Sequence, residues 1–250
     1  MFIGIIPARY GSTRFPGKPL AMINGKPMIQ LVWEHASQAK SLTRLAVATD
    51  DQRIVDAVQA FGGTALLTQT DHASGTDRCW EAFQLLQPEL GDTALNAAYV
   101  INIQGDEPFI DPNQIDELAS ILVDGVQIAT QCTSVESAAV LHSYEEVKIA
   151  LTTQKEALYF SREPIPHLRG VDPEQWHAHY PYYRHVGLYA YRADILEQIS
   201  QLPPSPLEKA ESLEQLRWLE AGFKINVVST QYISPSVDRP DDIDNLPTID

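Results

Sequence analysis

The 250 residues carry 44% hydrophobic side chains and a formal net charge of −15, enough apolar material for a substantial core and too acidic a balance for broad nucleic-acid binding, which needs a basic field. Two cysteines, Cys79 and Cys132, stand without a C-x-x-C spacing or His/Cys cluster, which argues against a structural zinc and fits a reducing compartment. No basic leader and no long apolar stretch precede the first strand-like run, so a cytoplasmic location without membrane insertion is expected.

Met1 to Ile6 is the first predicted strand. The loop behind it, Pro7-Ala8-Arg9-Tyr10-Gly11-Ser12-Thr13-Arg14-Phe15-Pro16-Gly17-Lys18-Pro19, holds three cations and no acid, and the first carboxylate of the chain is Glu34. Glycines, hydroxyls and cations just beyond a strand can wrap phosphates with backbone N–H groups and side chains together. A Walker loop is excluded, because five residues separate Gly11 from Gly17 and Pro19 follows Lys18. A G-x-G-x-x-G fingerprint is also absent after this strand.

Strand-like and helix-like stretches then alternate, the pattern of a largely parallel sheet covered by helices. A helix is predicted over Pro27 to Ala39, a strand over Leu45 to Ala48, a helix from Gln52 to Phe61 and a strand from Thr64 to Leu67. Asp71-His72-Ala73-Ser74-Gly75-Thr76-Asp77-Arg78 is a polar turn opening a helix to about Leu86; Thr76 or Asp77 can cap it, while Gly75 lets a flat base approach and Arg78 reaches the base's edge. Ala98 to Ile103 reads as a buried strand ending in Gln104-Gly105-Asp106-Glu107-Pro108, at the sheet edge where open α/β folds place ligands.

After a helix from about Pro112 to Leu122 the alternation weakens. Ala157 to Arg162 leads into a proline-interrupted segment, Glu163 to His167, and strands are predicted at Gln127 to Val135, Val147 to Leu151 and Arg184 to Tyr191. Between the last two lies a polar, aromatic loop, Leu168 to Tyr183, expected to be a lid or a dimer contact; its His177 and His179 have no carboxylate at metal-ligand spacing. Leu207 to Arg217 reads as one helix with Leu213 and Leu216 on its buried stripe and Glu208, Glu211 and Gln215 on a polar face, solvated or lining a pocket. Phe223 to Ser229 is the last strand, and Val237-Asp238-Arg239-Pro240 opens a short final helix.

The cradle P-A-R-Y-G-S-T-R-F-P-G-K-P resembles, almost residue for residue, the signature loop of nucleotidyltransferases that activate sugar acids with CTP, most closely the 3-deoxy-manno-octulosonate (Kdo) cytidylyltransferases, or CMP-Kdo synthetases. S-G-T-D-R, Q-G-D-E-P, Y-F-S-R, H-V-G-L-Y-A-Y, S-P-L-E-x-x-E-x-L-E-Q-L-R and V-D-x-P continue the resemblance in order through the chain. Arg239 departs from it, standing where the family commonly has Thr, and the loop from Gly170 to Tyr183 has no counterpart in the pattern.

The resemblance implies an α/β fold, a Rossmann-like mixed, mostly parallel sheet flanked by helices with a smaller dimerisation lobe, in one nucleotidyltransferase domain over 1–250. Within it 1–125 would be mainly nucleotide-binding, 126–225 mainly sugar-acid-binding and dimerising, and 226–250 would return to the core. It implies the reaction of CTP with Kdo to CMP-Kdo and pyrophosphate, for lipopolysaccharide synthesis, by a homodimer. Catalysis would rest on Arg9, Arg14, Lys18 and Asp106, and nucleotide contacts on Ala8, Arg9, Ser12, Lys18, Ser74, Gly75, Arg78 and Asp106. The sugar acid would meet Gln104, Arg162, His185, Tyr189, Glu211 and Gln215, and Mg2+ would bind Asp106 and Asp238. An amino-Kdo or sialic acid is the alternative substrate; a non-catalytic nucleotide-binding regulator is the alternative class.

Overall fold

The first apolar run forms β1 (Phe2–Pro7), whose residues 3–6 are buried, as suits a parallel strand covered by helices on both faces. The computed structural model describes residues 1–91, 94–123 and 125–247. A small hairpin, β2 (Met22–Ile23) and β3 (Lys26–Pro27), leads into α1 (Met28–Ala36); β4 (Arg44–Thr49), α2 (Gln52–Ala60), β5 (Ala65–Leu67) and α3 (Gly75–Leu90) follow. Next come α4 (Ala94–Ala97), β6 (Tyr99–Asn102), α5 (Pro112–Ser120), β7 (Ile128–Ser134), α6 (Ala138–His142), β8 (Lys148–Leu151) and β9 (Ala157–Ser161). The chain continues through α7 (Trp176–His179), β10 (Tyr183–Arg192), α8 (Ala193–Ser200), α9 (Pro206–Glu211), α10 (Gln215–Glu220) and β11 (Ile225–Ser229).

Among the described residues one nine-stranded sheet runs in the order β11-β7-β10-β6-β1-β4-β5, with β8 attached to β10 and β9 to β8. β1 pairs parallel with β4 and β6, β4 with β5 and β11 with β7, whereas β10 runs against β6, β7 and β8. This is the expected mixed, mostly parallel sheet. Ile3 and Ile5 pack with Phe83, Leu196 and Trp218 on one face; Ile6 packs with Val32, Val58 and Leu118 on the other. Helices α3, α8 and α10 therefore cover the first face, and α1, α2 and α5 the second. From β1 the chain moves outward to β4 and β5, then returns to β6 on β1's other side. That reversal opens a crevice beyond the carboxyl ends of β1 and β6.

One stretch departs from the sequence reading. The helix expected over 207–217 is broken: α9 stops at Ser212, which takes φ +53°, and α10 restarts at Gln215. The break drops Leu213 and Leu216 into the core while Arg217 turns back to pair with Glu208. The loop before β10 is tied into a small aromatic knot, in which Trp176 stacks on Tyr182, meets the edge of His167 and donates its indole N–H to Val171 O. Val237 of the C-terminal segment packs with Ile23, Met28 and Leu31 in a cluster apart from the two faces of the sheet; residues 248–250 of that segment lie outside the described residues.

Candidate active site

The cradle is shaped by its own backbone: Ser12 N and Gly17 N both donate to Tyr10 O at 2.9 Å. Gly17 sits at φ +73°, a left-handed conformation that glycine adopts without a Cβ penalty. Opposite, the turn after β6 comes so close that a Cβ on Gly105 would lie 2.7 Å from Pro7 O. Glycine at 105 is thus what lets Asp106 face the cradle. Lys18 Nζ donates to Asp106 Oδ2 and to Val237 O, each at 2.8 Å, and lies 3.7 Å from Asp238 Oδ1. Arg14 grips Asp238 with both terminal nitrogens at 3.1 and 3.0 Å. Asp106 O accepts from Val237 N at 2.9 Å, fastening the C-terminal segment to the turn.

Two carboxylates and a carbonyl therefore surround one ammonium, an oxygen-lined spot suited to a hard cation. Among the described residues no cluster of three or more His, Cys, Asp or Glu side chains could hold a metal. A donor set of two carboxylates fits magnesium, which keeps most of its octahedral positions for phosphate oxygens and water. Beside them, burial and the neighbouring Asp106 charge push the Glu107 carboxyl up to about 8.

The turn 71–78 forms the second wall. Ser74 is the N-cap of α3: its hydroxyl accepts from Asp77 N, and the Asp77 carboxylate accepts from Ser74 N, each at 3.2 Å. This reciprocal cap fixes a cavity of about 170 Å³ lined by Pro7, Ala8, Arg9, His72, Ala73, Ser74, Gly75, Arg78 and Gln104, a volume that suits a flat heterocycle. Arg78 departs from its expected pose. It is only 3% exposed, and its guanidinium binds Asp50 at 3.0 Å, the Thr68 hydroxyl and Gln69 O. It forms the wall of the cavity instead of projecting into it.

On the far side a cleft of about 850 Å³ runs from Arg14, Asp238 and Arg239 past Glu107 to Glu146, Arg162, Arg184 and His185. Arg162 is held by carbonyls: Nε donates to Glu211 O at 2.8 Å and Nη1 to Tyr144 O at 2.9 Å. No carboxylate contacts its guanidinium among the described residues, so it keeps its charge for an anion. His185 lies 3.1 Å from Thr130 Oγ1 and edge-on to Phe160. Burial, and secondarily Arg184, push its pKa down to about 3, leaving a neutral ring for hydrogen bonding. Gln104 reaches across the sheet end to donate to Gly187 O at 2.8 Å, where the β10–β7 register slips.

Adjoining the base cavity is a third space of about 190 Å³, bordered by Gly75, Asn102, Gln104, Tyr189, Glu214, Gln215 and Trp218. Buried Asn102 Oδ1 and Trp218 Nε1 have no hydrogen-bond partner among the described residues, and orphaned polar atoms on one cavity call for a hydroxylated ligand or water. Glu211, expected here, is elsewhere: its carboxylate accepts from Ser161 Oγ at 2.7 Å and Arg162 N at 3.0 Å. The break at Ser212 shifts the helical phase, and Glu214 takes the cavity-facing place, accepting from Thr76 Oγ1 at 3.0 Å. Sequence reasoning missed Glu214 because it assumed an unbroken helix, although Glu214 stands beside the chosen Gln215. It also passed over Arg184 and Glu146, which lie outside any phosphate-binding or metal-ligand pattern.

Residues 3–225 match the cytidylyltransferase family model. The chain is 50% identical over 246 residues to the 3-deoxy-manno-octulosonate cytidylyltransferase of Bacteroides thetaiotaomicron, covering 97% of this chain and 95% of that one. It is 47% identical over 242 residues to the 8-amino-3,8-dideoxy-manno-octulosonate cytidylyltransferase of Shewanella pealeana, with 96% and 94% covered. A solved CMP:2-keto-3-deoxy-manno-octonic acid synthetase complexed with CTP superimposes with a TM-score of 0.87 at 44% identity, covering 98% of this chain and 95% of that one. Fold, cradle and cavities thus define a nucleotidyltransferase of the cytidylyl-transferring class. Within that class, the chain belongs to the 3-deoxy-manno-octulosonate cytidylyltransferase family.

Proposed function

We propose that this protein joins CTP to 3-deoxy-manno-octulosonate. The anomeric oxygen forms a bond to the α-phosphorus, the bond from that phosphorus to the pyrophosphate oxygen breaks, and the hydroxyl proton passes to solvent. The observation that carries this reading is the meeting of Lys18, Arg14, Asp106 and Asp238 beside a cleft whose far wall holds the unneutralised Arg162. In-line phosphoryl chemistry needs charge neutralisation and alignment more than a covalent catalyst.

In this reading Arg9, Arg14 and Lys18 hold the phosphates, Ser12 and Ala8 supply cradle contacts, and Ser74, Gly75 and Arg78 shape the base cavity. Arg162 takes the sugar carboxylate; Gln104, His185, Tyr189, Gln215 and Glu214 take hydroxyls. Asp106 and Asp238 would hold magnesium, which when bound would offset the charge of the phosphates. Lys18 and Arg14 neutralise the same carboxylates, so in this reading nucleotide binding exchanges those cations from aspartate to phosphate. The division into a nucleotide part over 1–125 and a sugar-acid part over 126–225 is part of this proposal.

A homodimer through the smaller lobe belongs to it too, supported by β9, which pairs only with β8 among the named strands and presents Leu158 at 61% exposure. A cytoplasmic location rests on the two free, buried thiols. Among the described residues no helix is long and apolar enough to cross a membrane. Pyrophosphate release, measured with each nucleoside triphosphate against Kdo, its 8-amino analogue and a sialic acid, tests the function. The expected result is turnover with CTP and Kdo above all other pairs; preference for the amino sugar, the activity named for the Shewanella relative, or no turnover with any acid, overturns it.

A further inference from the structure

Lys148 is fully buried, 0% exposed, in the middle of the sugar-acid side. On β8 it lies in register with Ser161 of β9 on one side and Arg184 of β10 on the other. The three side chains therefore share one face of the sheet. Burying an ammonium costs stability unless its donors are satisfied. Here Nζ donates to Ser143 O at 2.7 Å and Glu146 O at 2.5 Å. Desolvation lowers the Lys148 pKa, opposed by the nearby Glu163 and Glu146 charges. Nothing in the reaction assigned above uses this amine.

The two carbonyls belong to the turn 143–146 between α6 and β8, of which Glu145 and Glu146 border the cleft. Tyr144 O accepts from Arg162 Nη1 at 2.9 Å, and the Glu146 carboxylate accepts from Arg184 Nη1 at 3.0 and 3.1 Å. Both guanidiniums border the large cleft. One buried cation thus holds, from behind, the turn that holds two cations in front. A direct ion pair would have cancelled the charge of Arg162, whereas a carbonyl whose own turn is pinned by Lys148 aims it and leaves the charge intact.

We propose that Lys148 is a positioning residue that orients Arg162, through the turn 143–146, to receive the carboxylate of the sugar acid, with Arg184 held beside it by Glu146 of the same turn. This rests on the sugar-acid reading of the cleft. It predicts a defect that depends on the charge at one end of one substrate, which general loosening of the fold does not produce.

The test compares wild type with Lys148→Met, which keeps the apolar stem and removes the ammonium. The KM for Kdo is expected to rise ~10- to 100-fold, the range for losing hydrogen bonds that govern a charged contact, with the KM for CTP held within about 2-fold. Binding of Kdo carboxamide, whose charged end is gone, is expected to differ between the two proteins by no more than about 2-fold. Glu146→Gln, which frees Arg184 but leaves both Lys148 bonds, should give a smaller rise for Kdo alone, and combining it with Lys148→Met should add little. Should Lys148→Met not accumulate folded, the same carboxylate-dependent pattern is expected in Lys148→Arg, whose planar head cannot meet both carbonyls in place. Equal losses for Kdo and CTP, or the same loss for acid and carboxamide, would overturn the inference. If wild type itself does not use Kdo, the functional reading fails instead, so the two failures are told apart.

Discussion

The nucleotide side and the sugar-acid side of this enzyme are built in different ways. The first is made of turns, each contiguous in sequence and each following a strand of the parallel half: the cradle after β1, the cap of α3 after the edge strand β5 and the turn after β6. The second is assembled from pieces distant in the chain, with β8, β9, β10 and the break at Ser212 each supplying one or two groups. Turns on strand ends need only local geometry to work, so their residues sit close together in sequence. An assembled site depends on registers and helix phases, so a single αL residue decides whether Glu211 or Glu214 faces the cavity.

If that contrast is right, damage to the turns should strike chemistry and nucleotide together, while damage to the assembled side should be selective. The largest effect is expected from Asp106→Asn, which keeps shape but weakens a hard-cation site and leaves Lys18 without its carboxylate. We expect turnover to fall at least ~100-fold, about 2.7 kcal/mol of barrier. Near-normal kcat at ordinary magnesium, read by pyrophosphate release, would break the assignment. Lys18→Ala should follow, lowering kcat as well as raising the KM for CTP, because charge develops on the departing oxygens. A raised KM with unchanged kcat would show uniform binding instead.

Arg78→Ala sharpens the comparison differently, because the structure makes Arg78 a wall. Removing one partner of its buried pair leaves Asp50 uncompensated, so thermal unfolding should report a loss of about 3 kcal/mol. Discrimination among the four nucleotides should narrow only as the cavity loosens; full stability with lost base choice would return Arg78 to direct contact with the base.

The smallest effect concerns pH. The His185 pKa of about 3 lies below its ordinary 6.5, so between these values the unfolded chain binds the proton and the folded one does not. Its contribution to stability is complete above 6.5 and is lost as pH falls toward 3. In His185→Gln the melting temperature should fall less steeply between pH 6.5 and 4 than in wild type. An identical acid slope would show that His185 is charged in the fold.

The same contrast explains what the sequence made legible. Most strands, the helices α1, α2, α3 and α5 and the turns at 7–19, 71–78 and 104–108 could be read because apolar periodicity and punctuation by glycine and proline are local signals, whereas α8 was not read. The ion-pair lock of Lys18 and Arg14 on Asp106 and Asp238 joins residues 88 and 224 positions apart; only the identity of its members could be read, not their pairing. The break at Ser212 was hidden because serine has no strong bias toward φ above zero, and Lys148 was hidden because a lysine in a short strand reads as solvent-facing.

The contrast itself is tested most directly by steady-state kinetics on Arg162→Lys, which keeps a charge but loses the paired, planar contact with a carboxylate. The account predicts a KM for Kdo raised ~10-fold or more, about 1.4 kcal/mol, with the KM for CTP within about 2-fold of wild type. A KM for CTP that rises as much as that for Kdo, or rises alone, would contradict a sugar-acid site built apart from the nucleotide turns.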